Sequence, residues 1–203
     1  MKNNWTKLAA VWIGCLLLRL LPWRAPNVEP VLAATMPVAR RAGAISGFLF
    51  AATSMVVYDL IQNRVGPWTW LIAITYGAVG AGAALYLRRQ SAGVARARLA
   101  EASGVARAYA FYAVGSTLVY DAVTGLMMGP LWFHQPLREA ILGQIPFTAL
   151  HLLGNVAFAL TLSPIIDYWL VKPARAKYQF ENYSPPKADR PMADNYPNYS
   201  KEL

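Results

Sequence analysis

The chain has 203 residues, 56% of them apolar and 14% charged, with a positive mean hydropathy and a net charge of +9. These proportions exclude an ordinary soluble domain and make an all-α integral membrane protein the expectation. The positive charge does not point to nucleic acid, because Lys and Arg fall in short inter-helix stretches rather than along one surface stripe. A single cysteine, Cys15 in an apolar run, leaves no disulfide framework and no CxxC metal site.

Met1 to Lys7 is polar and basic, and Leu8 to Leu21 is apolar apart from Arg19, the pattern of a signal-peptide start. Bulky residues follow instead of a small-x-small cleavage site. The segment therefore reads as a retained first transmembrane helix, with Arg19 able to snorkel to the interface. Ala10 and Gly14 give it a small-xxx-small face that permits close approach of another helix, within this bundle or from a partner. Pro22, Pro26 and Pro30 punctuate the next turn. Val31 to Ala39 is then too short for a regular span of about 20 residues, and Pro37 interrupts it, so it reads as a short, broken second helix.

Ala42 to Gln62 predicts a third helix and Pro67 to Leu87 a fourth, thinned by Gly77, Gly80 and Gly82. Arg88 to Arg107 carries five arginines, and Val94 to Ala102 within it predicts an amphipathic helix at the lipid surface. Ala106 to Met128 predicts a fifth span. Gly129 to Ile145 predicts a loop with a short interfacial helix from Pro136, and Pro146 to Val171 a sixth span. Residues 1–172 thus form a domain of about six transmembrane helices. Residues 173–203 turn to Pro, Tyr, Asn, Lys and Asp, a composition that predicts a disordered tail.

One stretch recurs. Ser54, Val57, Tyr58, Asp59, Gly66, Pro67 and Trp68 reappear as Ser116, Val119, Tyr120, Asp121, Gly129, Pro130 and Trp132. Each copy predicts a helix, a sharp turn and a second helix, a duplicated helix-turn-helix unit. In a bilayer the two aspartates would sit at matching depths, where a carboxylate needs water, a partner or a ligand. With the amino terminus in the cytoplasm, six spans gather Lys2, Lys7, Arg40, Arg41, the loop arginines and the basic carboxyl-terminal tail inside. Glu29, Asp59, Asp121, Trp68, Trp132, His134 and Glu139 then share the outer side. The plainer reading keeps the tryptophans as an interfacial belt and the acids as caps or partners of Arg64 and Arg138.

In the last span His151 and Asn155 lie one turn apart on one face. Both are costly in lipid and should look into the bundle, to bond the Asp121 side or a ligand, or simply to tie two helices together. No other His or Cys is placed to complete a zinc site with them.

Taken together, Pro26-Asn27-Val28-Glu29-Pro30 before a short helix, Gly47-Phe48, the Tyr58-Asp59 to Gly66-Pro67-Trp68-Thr69 turn, and His151-Leu-Leu-Gly-Asn155-Val-Ala-Phe158 carry a resemblance. Over roughly residues 5 to 172 the chain resembles the membrane-embedded substrate-binding subunit, or S component, of energy-coupling-factor (ECF) vitamin transporters. The resemblance implies a multi-pass protein of a prokaryotic plasma membrane with both termini cytoplasmic. It implies binding of a vitamin or related micronutrient near the outer face, and docking on a transmembrane coupling subunit driven by two ATPase subunits. Ala10 and Gly14 resemble the alanine-spaced docking face of that family, with glycine at the second position and the bulky Trp12 nearby. No Walker-type loop is present, so such a chain would take its energy from those partners and need no cofactor of its own. The resemblance places Trp68, Tyr120 and Trp132 over the flat faces of the ligand. Asn27, Asp59, Asp121, His151 and Asn155 would then make the directional contacts. Two rivals stand beside it: an intramembrane enzyme using Asp59, Asp121 and His151 as acid–base groups, and a scaffold whose acids only cap helices.

Overall fold

The computed structural model describes residues 2–22, 28–91 and 98–181, with no strand among them. Helix α1 is Lys2–Arg19, α2 Val31–Ala42, α3 Ala44–Ile61 and α4 Pro67–Ser91. Helix α5, Arg98–Asp121, runs into a π-helical stretch, Ala122–Met127, then α6, Met128–Phe133, and finally α7, Leu137–Glu181. Contacts divide the chain into Met1–Leu170 and Val171–Leu203. Three of the described helices, over Ala44–Ile61, Pro67–Arg89 and Leu137–Leu170, are long and apolar enough to cross a membrane. The other expected spans do not reach that mark. Helix α2 has 12 residues, while α1 and α5 carry Lys and Arg, and in α5 Glu101 and Asp121, within their length.

Helix α2, expected to be short and broken, is short and continuous, and it is the hub of the packing. Every residue from Val31 to Ala39 is buried, and α1, α3, α4 and α5 all pack on it. An apolar piece of this length more often lies in a core than across a bilayer. Pro37 lies inside it without breaking it. A proline has no N–H for the carbonyl four residues back, and here that carbonyl, Ala33 O, accepts instead from Ser163 Oγ of α7 at 2.7 Å. Gly43 joins α2 to α3 at φ 102°, a conformation that side chains other than glycine seldom adopt. Where α2, α3 and α4 meet, a Cβ on Gly47 would stand 2.6 Å from the Ala39 Cβ, so only a bare backbone fits. Inside lipid, such close van der Waals packing and interhelical bonds hold a bundle together, since water is not there to be expelled.

Several expected boundaries move. The chain stays helical from Asp121 to Phe133, so Gly129-Pro130 lies within a helix instead of opening one. The π stretch interrupts the regular ladder just ahead of Pro130, where a missing N–H costs least. The turn comes later, at His134 with φ 54°. Helix α7 starts after Pro136, whose carbonyl accepts from Glu139 and Ala140 at 2.9 and 3.0 Å, and Glu139 in the first turn suits the helix dipole. The expected interfacial helix and sixth span are thus one helix that continues through Pro146. Of the expected surface helix at 94–102, residues from Arg98 belong to α5 and 94–97 lie outside the described residues. The tail expected to lack structure is helical as far as Glu181, through a run rich in Ala, Arg, Lys and Gln that favours helix. The rest of that expectation, 182–203, lies outside the described residues.

Arg19 does not snorkel. It is only 9% exposed and turns inward, its guanidinium 4.0 Å from the centre of the Tyr58 ring and its Nε 3.3 Å from Glu29. A buried guanidinium with a carboxylate and an aromatic face costs less than one held in lipid alone. Near the other end of the bundle, Asp167 of α7 is held by Arg40 and Arg41 of α2. Arg41 reaches it through Nε at 2.5 Å and Nη2 at 2.9 Å, and Arg40 bonds the same carboxylate. At a 1.5 Å rise per residue, Asp167 lies about 24 Å along α7 from His151.

Candidate functional site

Two rungs tie α5 to α7. Asp121 closes α5, and Thr117 lies four residues earlier on the same face, while His151 and Asn155 occupy one face of α7. The His151 ring Nδ1 meets Asp121 Oδ1 at 2.7 Å, and Asn155 Nδ2 donates to Thr117 Oγ1 at 2.8 Å. All four side chains are buried, Asp121 and Asn155 to 1% exposure. Aromatic edges close around them. Tyr120 stands edge-on to His151 with centroids 5.7 Å apart, Phe147 likewise at 5.9 Å, and Tyr76 of α4 meets Tyr120 edge-on at 4.8 Å. The Arg19–Glu29 pair acts electrostatically on both Tyr76 and Tyr120, which brings α1 and the segment before α2 into the same neighbourhood. That segment lies tight on α7: a Cβ on Gly154 would stand 3.1 Å from the Val28 Cα.

Four buried polar atoms in this neighbourhood make no hydrogen bond among the described residues: Asp121 Oδ2, Asn155 Oδ1, Tyr76 OH and Arg19 Nε, the last only ion-paired with Glu29. An unmatched buried polar group costs about 1–3 kcal/mol, more when charged. Asp167 shows the contrast, since both of its oxygens are bonded. Unmatched acceptors in this position can each accept from a hydrogen-bond donor.

The other expected site residues fall elsewhere. Asp59 belongs to a turn. Its main-chain carbonyl accepts from Arg64 N at 2.9 Å, and Asn63, at φ 53°, donates to Leu60 O at 3.1 Å, a Schellman close to α3 with Asn in the left-handed position. Its side chain accepts from the Thr69 hydroxyl at 2.6 Å, and that hydroxyl accepts from Gly66 N–H at 3.1 Å. Gly66, Pro67 and Thr69 thus cap α4, with proline at the first helical position. Trp68 is half-buried over Gly66, 6.5 Å from Phe133. Trp132 is 54% exposed. Ala10 is exposed, and a Cβ on Gly14 would meet nothing within 4 Å, so that face is not used in packing among the described residues. Asn27 lies outside the described residues.

Sequence reasoning grouped Glu29 with Asp121 on the outer side but missed Arg19, Tyr76, Thr117 and Phe147 as neighbours of the site. Two of these had a signal: Thr117 precedes Asp121, and Phe147 precedes His151, by one turn. Arg19 had one too, because an arginine in an apolar run needs a partner. Among the described residues no group of three His, Cys, Asp or Glu could hold a metal ion. A groove of about 660 Å³ between α4 and α5, lined by residues such as Ile74, Ala78 and Phe111, is apolar and separate from the polar rungs. No protein-family model, no curated protein and no solved structure matches the chain.

Proposed function

We propose that this chain is the membrane-embedded substrate-binding subunit of an uptake transporter of the energy-coupling-factor kind, taking one micronutrient in the pocket around Asp121, His151 and Asn155. One observation carries the reading: unmatched buried acceptors beside aromatic rings at one end of an apolar helical bundle. A polar site of this kind inside lipid is functional before it is structural. In this reading the two-rung tie between α5 and α7 fixes the shape of the site, beside the segment at Val28 that packs on Gly154.

In this reading the bundle sits in a prokaryotic plasma membrane with six crossings, both termini in the cytoplasm and the Asp121 end outward. Helices α1 and α2 then lie within the bundle despite their charges, because Arg19 pairs with Glu29 and Arg40 and Arg41 with the buried Asp167. The open face at Ala10 and Gly14 meets the coupling subunit, and two ATPase subunits drive release. Lipid chains fill the apolar grooves outside.

The test is binding without ATP. Purified protein in detergent is screened by thermal shift against B vitamins, corrinoids and nucleobase-like compounds. One compound is expected to raise the Tm by several degrees. A folded protein that responds to none of them contradicts the proposal.

A further inference from the structure

We propose that the site takes its ligand by an N–H edge: a small planar nitrogen heterocycle bearing an amino group, neutral or cationic, and not a carboxylate or phosphate. This rests on the chain being a binding subunit, and narrows what it binds. Asp121 Oδ2 and Asn155 Oδ1 are both unmatched acceptors, each on a side chain 1% exposed. A carboxylate can only accept, so the missing partner must donate. The two atoms belong to adjacent rungs of one ladder, since Thr117 and Asp121, like His151 and Asn155, are one turn apart. A ligand with two N–H donors on one edge fits that row.

The arginine nearby already has an acid partner, which weakens the hold on an anion. The Arg19 charge is paired with Glu29, over the Tyr58 face and against the Met55 sulfur, although its Nε makes no hydrogen bond. The His151 Nδ1 is taken up by Asp121. A ligand carboxylate or phosphate would therefore meet Asp121 and Glu29 without a free counter-charge, and like charges in a poorly solvated site repel strongly. The aromatic groups set the shape. Tyr76 and Tyr120 stand edge to face, and His151 is flanked by Tyr120 and Phe147. A flat ring can join such an edge-to-face cluster. Tyr76 OH, also unmatched, supplies a further polar contact at the rim of that ring.

The experiment titrates full-length protein in detergent, by native mass spectrometry and thermal shift, with two sets of probes. One set is 4-aminopyrimidine, cytosine and adenine, each beside its ring lacking the amino group. The other is biotin, nicotinate, pantothenate and pyridoxal phosphate. The amino heterocycles are expected to bind and the anions not. Asp121→Asn, which replaces an acceptor by a donor, and Asn155→Ser are each expected to weaken binding roughly ten- to hundredfold, in variants that remain helical and monodisperse. Binding of an anionic probe in preference to the amino heterocycles overturns this inference and leaves the uptake proposal standing. Equal binding by wild type and Asp121→Asn also overturns it. Failure of every probe on folded protein overturns this inference, and the uptake proposal falls with it when the wider panel of B vitamins and corrinoids fails as well.

Discussion

The two Tyr-Asp corners share a dipeptide, a preceding serine and valine, and a downstream Gly-Pro, yet they do different work. At the first, Asp59 uses both its main-chain and side-chain oxygens to close α3 and start α4. At the second, Asp121 ends α5 inside the bundle, pairs with His151 and keeps one oxygen unmatched. The difference lies in the backbone just beyond each aspartate. After Asp59 the chain turns at once, through Asn63, into Gly66-Pro67. After Asp121 it continues as a π stretch and a further helical turn, so no local hydroxyl reaches back to cap the carboxylate. An acid satisfied by its own turn is structural, and an acid left short of a donor in the interior calls for a partner, which the proposed ligand would supply.

That contrast can be broken by substitution, and the largest effect belongs to Asp121. Asp121→Ala should abolish ligand binding and cost about 3–5 kcal/mol, because removing one member of a buried pair strands the other. Unfolding in mixed micelles and ligand titration read the two losses separately. Asp167→Ala should cost a similar 3–5 kcal/mol or somewhat less, since Arg41 is partly exposed at 40%. Ligand affinity should stay within about twofold of wild type. An equal loss of binding would mean that full hydrogen bonding does not mark a structural acid.

Smaller effects sharpen the picture of the scaffold. Ser163→Ala should cost about 1–3 kcal/mol by leaving the Ala33 carbonyl bare. Adding Pro37→Ala should recover part of that loss, because it restores the N–H that the carbonyl lacked. Simple additivity in the double variant, measured by unfolding, would break the link between the two sites. Asp59→Asn and Thr69→Ala should each cost about 1 kcal/mol, the ordinary size of a lost cap. Neither should move ligand affinity by more than about twofold, a change under 0.5 kcal/mol.

How much of the molecule was legible in its sequence depends on how local the chemistry is. The Gly66-Pro67 start of α4 could be read directly, because capping is decided within a few residues. The shared face of His151 and Asn155 came from helical periodicity. The burial of α2 did not, since a short apolar run with a proline suits a broken span as well as a core helix. The Asp167 clasp joins residues more than a hundred positions apart, and no pattern within either helix announces it. Arg19 turned on which way one long side chain points. The π stretch after Asp121 has no compositional mark, and it is the reason the two corners differ.

The most direct measurement is native mass spectrometry of three proteins taken straight from cells: wild type, Asp121→Asn and Asp59→Asn, each released gently from detergent. A small molecule carried by wild type and by Asp59→Asn, and missing from Asp121→Asn, is the predicted result. The account is contradicted if the adduct survives in Asp121→Asn or disappears from a folded Asp59→Asn.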